Sequence, residues 1–152
     1  MPDPVVKTVE VACTPSVAFD IFVNRIAKWW PLDRHAASVK YGEAALAVKI
    51  EPRVGGAMYE TMYNGERDAW GKVLEFEPGK KLAVSWHPGD NKTHPTRVDV
   101  DFEPAADGRT KVTLTHSGWE AWAEQADAMR DNYNGGWVVV FETCFAGACV
   151  PA

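Results

Sequence analysis

Apolar and polar positions alternate with a period of two over most of the chain between residues 44 and 116. The clearest case is the segment 97–103, in which Val98, Val100 and Phe102 alternate with charged residues. Such alternation is typical of a strand with one buried and one solvated face. Turn dipeptides separate the segments: Asn64-Gly65, Pro78-Gly79 and Asp107-Gly108. The pattern therefore predicts six consecutive antiparallel strands.

The chain before residue 44 has a different pattern. Residues 5–13 alternate as one further strand. Thr14 is a suitable N-cap and Pro15 a suitable first helical residue, because proline has no N–H to leave unpaired there. Helical spacing of apolar residues follows, and we expect a pair of short helices that ends at Pro31. Residues 32–43 show little periodicity and are predicted to form a loop.

The C-terminal stretch 128–148 is predicted to be the long helix around which the fold is organised. Its apolar residues recur at steps of three and four: Tyr133, Trp137, Phe141, Cys144, Phe145 and Ala148. Gly135-Gly136 interrupts the pattern, which leaves two interpretations open: a break between two helices, or one continuous helix with room beside Trp137. A curved antiparallel sheet wrapped around this helix is the economical α+β arrangement.

Length and composition narrow the classes of function. A chain of 152 residues is expected to form one domain, residues 1–152, with a sizeable core. The net charge of -5 and the lack of a basic run argue against nucleic acid as a partner. No apolar stretch is long enough to span a membrane, and no signal peptide is apparent. Three cysteines show no disulfide or metal-ligand spacing, so we expect reduced thiols, a cytoplasmic location, and neither metal nor cofactor.

Several short segments, taken in order, resemble a known superfamily. They are Thr14 to Phe19, Trp29-Trp30-Pro31, Glu51 to Gly56, Trp70 to Pro78, Leu82 to Trp86, Val112 to His116, Gly118-Trp119 and Tyr133 to Trp137. This order resembles the START-like superfamily, also called SRPBCC or Bet v 1-like, whose members have the helix-grip fold. Within it, the chain is similar to the family named after the C-terminal domain of the Hsp90 ATPase activator Aha1.

The resemblance implies a cavity between the sheet and the C-terminal helix. Members of the superfamily use this cavity for lipids, polyketides or other apolar molecules; some are cyclases or hydrolases, and Aha1 binds Hsp90. Aromatic residues and one histidine are therefore the candidate ligand-binding residues: Trp29, Trp30, Tyr59, Trp70, Trp86, His116, Trp119, Tyr133, Trp137 and Phe141. The alternative for each is core packing, which is the usual place of a large apolar side chain.

Two polar residues on apolar strands are candidates for acid–base chemistry. His116 shares a face with Val112 and Leu114, and a buried imidazole or carboxyl must be paired or lose its charge. The alternatives are a hydrogen-bonded core histidine for His116 and a solvent-facing position for Glu60. The loop tripeptide Asp33-Arg34-His35 is interpreted as solvated, and no nucleophile, phosphate-loop or metal motif is present.

The leading hypothesis is a protein that binds a small hydrophobic or aromatic molecule in its central cavity, with no catalytic residue assigned. The alternatives are an Aha1-type module that docks on an Hsp90-like chaperone, and a cyclase or hydrolase that uses a cavity His or Glu. A filled core favours chaperone docking, whereas an open cavity favours a small-molecule ligand.

Overall fold

One curved antiparallel sheet of seven strands organises the structure, a computed structural model that describes residues 3–88 and 93–149. The strands are β1 (Val5–Val11), β2 (Ala47–Ile50), β3 (Ala57–Thr61), β4 (Arg67–Glu77), β5 (Lys81–Trp86), β6 (Thr96–Pro104) and β7 (Thr110–Ser117). Their spatial order is β1-β7-β6-β5-β4-β3-β2. The six strands β2 to β7 form a meander, as the alternation predicts, and β1 adds to its far edge by pairing with β7.

Short helices lie between β1 and β2. Helix α1 (Pro15–Asn24) begins at Thr14, whose side-chain oxygen accepts a hydrogen bond from the Val17 N–H at 3.3 Å. Helix α2 (Ile26–Trp29) follows, so the predicted helix pair is confirmed. The segment predicted as a loop contains a 3-10 helix, Ala37–Tyr41. Two further 3-10 helices are Ala106–Gly108 and Trp119–Gln125.

The C-terminal helix, α3, is continuous through the two glycines and changes its winding. It is α-helical over Ala126–Trp137, π-helical over Val138–Phe145 and α-helical again over Ala146–Ala148. From Trp137 onward the helix buries Val140 and four residues that recur every four positions: Trp137, Phe141, Phe145 and Cys149. A step of four exceeds the 3.6 residues of an α-turn, and the wider π-turn keeps these side chains on one face.

The inward faces of β6 and β7 are buried, as predicted. The buried positions are Val98, Val100, Phe102, Val112 and Leu114. Register pairs these residues across the two strands, with Val100 opposite Leu114 and Phe102 opposite Val112. Because side chains on a strand alternate between its two faces, this register places five apolar residues on the concave side in one layer. The helix-grip arrangement is thereby confirmed.

Two bulges in β4, one against β3 and one against β5, make the simple alternation fail locally. The register of β4 against β5 shifts between Val73 and Glu75, so Val73 is buried and Leu74 is exposed. Alternation along 70–76 predicts that Leu74 shares the buried face of Trp70, and this prediction is wrong. Alternation along 46–50 likewise predicts that Leu46 shares the face of Val48 and Ile50, but Leu46 precedes β2 and is exposed.

A bulge in β4 lies opposite the carboxylate-bearing part of β3, since β4 advances from Gly71 to Ala69 where β3 advances from Met58 to Tyr59. The register shift between Met58 and Tyr59 leaves three consecutive residues of this strand buried, Met58, Tyr59 and Glu60. The solvent-facing alternative considered for Glu60 is therefore wrong. A bulge changes how two strands pair, so period-two reasoning on β3 alone cannot place its side chains.

The three cysteines differ in their burial. Cys149, at the end of α3, is buried, and burial together with the neighbouring Cys13 thiol raises its pKa to about 12. Cys13 and Cys144 are half-buried and pack against the core. Burial also raises the pKa of Cys13. Low thiolate content makes the Cys13 and Cys149 thiols poor nucleophiles at neutral pH.

Candidate functional site

A cavity of about 680 Å³ lies between the sheet and the C-terminal helix. Four indole rings line it: Trp30 after α2, Trp70 on β4, Trp86 at the end of β5 and Trp137 on α3. Its volume is in the range of 300–1,000 Å³ that is usual for small-molecule sites. Trp70 and Trp86 come from the sheet, and Trp30 and Trp137 come from the helical side of the cavity.

The four indoles form one contiguous cluster. Ring centroids of Trp30 and Trp70 are 5.1 Å apart, and those of Trp86 and Trp137 are 5.4 Å apart. Trp30 also lies 6.1 Å from both Trp86 and Trp137. All five contacts within the cluster are tilted or edge-to-face, which are favoured arrangements of aromatic pairs. Each of these residues is at most 6% exposed, so the cluster forms a closely packed apolar wall of which only small parts border the cavity.

The structure brings half of the predicted ligand-binding residues to the cavity. Those that line it are Trp30, Trp70, Trp86, Tyr133 and Trp137. The others are not among its lining residues: Trp29, Tyr59, His116, Trp119 and Phe141. Trp29 donates its indole N–H to the Ile21 carbonyl at 2.9 Å, and the Tyr59 ring lies under the Arg67 guanidinium.

His116 is fully buried directly behind the indole cluster. The Trp137 indole N–H donates to His116 Nδ1 at 3.0 Å, which makes that nitrogen the acceptor. His116 Nε2 therefore carries the proton and donates to Thr96 Oγ1 at 2.7 Å. The Thr96 hydroxyl in turn donates to the Trp86 carbonyl at 3.3 Å. One directed chain of hydrogen bonds thus connects α3, β7, β6 and β5.

His116 is neutral because it is buried. Burial lowers its pKa from 6.5 to about 3, so the imidazole is neutral at pH 7. Both ring nitrogens already have protein partners. The residue positions Trp137 on the cavity wall and holds no proton that a ligand could reach, which corresponds to the core-histidine alternative.

Glu60 is also buried, and its carboxylate accepts four hydrogen bonds. Oε1 accepts from the Ala37 N–H at 2.6 Å and from the Trp70 indole N–H at 3.2 Å. Oε2 accepts from the Ser38 N–H at 3.0 Å and from the Ser38 hydroxyl at 2.6 Å. Charge-assisted bonds of this kind are among the stronger ones in proteins. Glu60 therefore fastens the 3-10 helix, and with it one side of the cavity, to the sheet.

The segment between Pro31 and Ser38 is a rigid wall of the cavity, although its sequence was interpreted as a solvated loop. The Pro31 carbonyl accepts the N–H groups of Arg34 and His35 at 3.1 and 3.0 Å. The Trp30 indole N–H donates to the His35 carbonyl at 2.7 Å. Arg34 and His35 consequently line the cavity together with Ala36 and Ala37.

Sequence reasoning missed Arg34 and His35 as cavity residues. The residues around them show no periodicity, and Glu60, which holds the adjoining 3-10 helix, lies more than twenty residues further along the chain. One signal in the sequence was Trp30, because a buried indole N–H requires an acceptor and a nearby backbone carbonyl can supply it. Burial, and secondarily the Arg34 charge, lowers the pKa of His35, which is therefore mainly neutral at pH 7.

The helix side of the cavity contains the two glycines. A Cβ at Gly136 would lie 3.7 Å from His35 Cε1, and a Cβ at Gly135 would meet nothing within 4 Å. Both residues line the cavity. The helix is continuous here, so the open space beside Trp137 comes from the missing side chains. Asp131, one turn earlier, lies at the same cavity and 3.7 Å from Arg130.

Two other kinds of site are absent from the described residues. Within residues 3–88 and 93–149, no group of three or more His, Cys, Asp or Glu side chains is placed to hold a metal ion. In the same part of the chain, no helix has both the length and the apolar character needed to cross a membrane.

Comparison with known proteins places this geometry in a family. The family model described as Activator of Hsp90 ATPase homolog 1-like protein matches residues 12–142. No curated protein matches the chain. Because the match runs from the residue after β1 into the π-helical part of α3, it includes every residue that lines the cavity.

Solved structures agree with the fold. The anthrahydroquino-gamma-pyrone synthase Txn09, solved as a complex with a ligand, is 28% identical over 97% of this chain and 99% of its own, with a TM-score of 0.63. The Aha1 dimer from Colwellia psychrerythraea is 19% identical over 96% of this chain and 95% of its own, with a TM-score of 0.67. CalU16 from Micromonospora echinospora is 17% identical over 93% of this chain and 70% of its own, with a TM-score of 0.64.

Proposed function

The chain belongs to the family of activator of Hsp90 ATPase homolog 1-like proteins, and we propose that it binds a small hydrophobic or aromatic molecule in the cavity between the sheet and α3. The observation that carries this proposal is the cavity of about 680 Å³ with four indoles on its walls. A chain that needed only a stable core would gain from filling this space, because unfilled volume costs packing energy.

The wall has the rigidity that ligand binding requires. Trp30, Trp70 and Trp137 each donate an indole N–H to a protein acceptor, which fixes the plane of each ring. Pre-ordered rings lose little conformational entropy when a ligand stacks on them. An aromatic ligand of two or three fused rings suits such a surface better than a flexible polar one.

Fluorescence titration tests the proposal directly, because four of the seven tryptophans line the cavity. Gly136→Leu places a side chain beside His35 and is expected to abolish quenching by fused-ring aromatic compounds. The helix itself should gain stability, roughly 1 kcal/mol, since glycine is a poor helix former. Gly147→Leu is the matched control: it lies in the same helix, away from the cavity lining, with nothing within 4 Å of a Cβ.

Native mass spectrometry of protein purified from its own host supplies the second test. A co-purifying molecule in the parent and in the Gly147→Leu control, but not in the Gly136→Leu variant, supports the proposal. Equal quenching of the parent and the Gly136→Leu variant, or no quenching by any fused-ring compound, contradicts it.

A cyclase or synthase activity is the second candidate, and the 28% identity with Txn09 is the observation that favours it. The histidine and glutamate considered from the sequence, His116 and Glu60, are both engaged in hydrogen bonds within the protein. His35, Asp131 and Tyr133 line the cavity, and of these we assign a catalytic role to His35, the one histidine among the lining residues. The check is mass spectrometry of a co-purified molecule after incubation with fresh protein, in which cyclisation appears as loss of one water.

Docking on an Hsp90-like chaperone is the remaining alternative, and the description of the family is its support. An open cavity of this volume favours the small-molecule proposal, since a docking module gains stability from a filled core. Stimulation of a chaperone ATPase by the purified protein, unaffected by Gly136→Leu, would favour the chaperone instead.

A further inference from the structure

One indole at the cavity has a free donor. Trp86 Nε1 is buried and has no hydrogen-bond partner within residues 3–88 and 93–149. Five other indoles donate to protein acceptors: Trp29, Trp30, Trp70, Trp119 and Trp137. The neighbours of Trp86 at the cavity are mainly rings, so the protein offers little to accept its proton. Because an unpaired buried N–H costs free energy, a bound molecule with an oxygen at this position would recover it.

His35 supplies the complementary group at the cavity, a hydrogen-bond acceptor. Its N–H donates to the Pro31 carbonyl and its carbonyl accepts from the Trp30 indole, so the backbone is held on both sides of the side chain. The imidazole lines the cavity and lies 3.7 Å from the Cβ position of Gly136. A mainly neutral imidazole has one ring nitrogen that accepts a hydrogen bond.

The charged residues at the cavity do not call for an ionised ligand. Arg34 and Asp131 have opposite signs, and both line the cavity. Each also lies 3.7 Å from a residue of opposite charge, Asp33 for Arg34 and Arg130 for Asp131. A neutral molecule therefore suits the cavity better than an anion or a cation, since it loses less hydration on entering.

Taken with the proposed function, on which this inference rests, these groups define the ligand class. We propose that the cavity binds a neutral fused-ring aromatic molecule with both a carbonyl and a hydroxyl group. The carbonyl oxygen accepts the hydrogen bond from Trp86 Nε1, and the hydroxyl donates to the imidazole of His35. The indole cluster supplies affinity, and these two bonds select the oxygenated members of the class and fix their orientation.

Four compounds with one skeleton separate the two bonds: fluorene, 9-fluorenone, 2-hydroxyfluorene and 2-hydroxy-9-fluorenone. Their dissociation constants are measured at pH 7.5 by tryptophan fluorescence. We expect the carbonyl and the hydroxyl each to tighten binding roughly fivefold, as a single buried hydrogen bond does. 2-Hydroxy-9-fluorenone should therefore bind tightest and fluorene weakest.

Variants assign each gain to its residue. His35→Phe keeps a ring in place and should remove the gain from the hydroxyl while leaving the gain from the carbonyl. Trp86→Phe should do the reverse. His94→Phe and Trp122→Phe are matched controls, because these two rings stack on each other at 4.4 Å and neither lines the cavity. Both controls should keep both gains.

If Trp86→Phe does not fold, the indole N–H resonance of Trp86 in the parent replaces it. This signal should shift with 9-fluorenone more than with fluorene. Binding of fluorene with no gain from either oxygen overturns this inference and leaves the proposed function standing. An equal loss for fluorene and 2-hydroxyfluorene in His35→Phe also overturns it, because the residue would then act on packing alone. Failure of all four compounds to bind overturns both proposals.

Discussion

Acidification is expected to destabilise the fold through His116, which stays neutral while it is buried. Its pKa is about 3 in the folded protein, against 6.5 for an unperturbed histidine. Between these values the unfolded chain takes up a proton that the folded chain does not. The stabilisation is therefore complete above pH 6.5 and is lost progressively as the pH falls towards 3.

The size of the effect follows from the two pKa values. Between pH 7.5 and pH 4.5, this one proton removes about 2.6 kcal/mol of unfolding free energy. The range stops at pH 4.5 because carboxylates with lowered pKa values, such as Asp20, Asp99 and Glu51, contribute below it. His35 adds a contribution of the same sign, since its pKa is also lowered. Because the unfolding free energy of a typical domain is only about 5–15 kcal/mol, a loss of this size is a large part of it.

Urea denaturation at several pH values between 7.5 and 4.5, at constant ionic strength, measures the loss. His116→Gln is expected to be less stable than the parent at pH 7.5, and the gap should shrink by about 2.6 kcal/mol at pH 4.5. His35→Gln is the control for the second histidine and should keep the His116 effect. An NMR titration of the ring proton of His116 gives the pKa independently of stability. A midpoint between pH 6 and 7 for that resonance, or a gap independent of pH, would refute the reasoning.

Two further changes test the framework of the site by urea denaturation. Glu60→Gln turns an amide N–H₂ towards donors that now have no acceptor, and it should lower the unfolding free energy by roughly 2–4 kcal/mol. The exposed control Glu66→Gln should be nearly neutral. Equal effects of the two changes would show that the carboxylate does not anchor the 3-10 helix. Gly71→Ala should lower the unfolding free energy by more than about 3 kcal/mol, because a Cβ there would lie 1.7 Å from the Ser85 carbonyl oxygen on the neighbouring strand. The control Gly135→Ala meets nothing within 4 Å and should be stabilising. A well-folded Gly71→Ala protein would contradict the close pairing of β4 and β5.

Much of the fold could be predicted from the sequence because its determinants are local. Val98, Val100 and Phe102 lie at alternate positions between turn dipeptides, and only one face of such a strand can be apolar without exposing its residues. Thr14 and Pro15 likewise define the start of α1 by their own hydrogen-bonding properties. The errors occur at Leu74 and Glu60, next to bulges. A bulge depends on how two strands pair, and the pattern of one strand does not contain that information.

The candidate site was predictable only as a type of surface. The family resemblance implied a cavity with aromatic walls, and Trp30, Trp70, Trp86 and Trp137 do line it. Which indoles face the cavity and which pack behind it depends on the separation of sheet and helix. Trp119 and Trp137 both donate to His116, yet only Trp137 lines the cavity.

The sequence by itself therefore determined the strands, the helix starts and the apolar character of the interior, since each depends on neighbours within a few residues. Only the tertiary structure decided the chemistry of the cavity. His35 reaches it because Trp30 and Pro31 hold its backbone, and the adjoining 3-10 helix is held by Glu60, more than twenty residues away in the chain. The unpaired N–H of Trp86 is likewise a property of what surrounds it. Hydrogen bonds between distant segments leave no periodic trace in a sequence, because each depends on one donor and one acceptor that folding alone brings together.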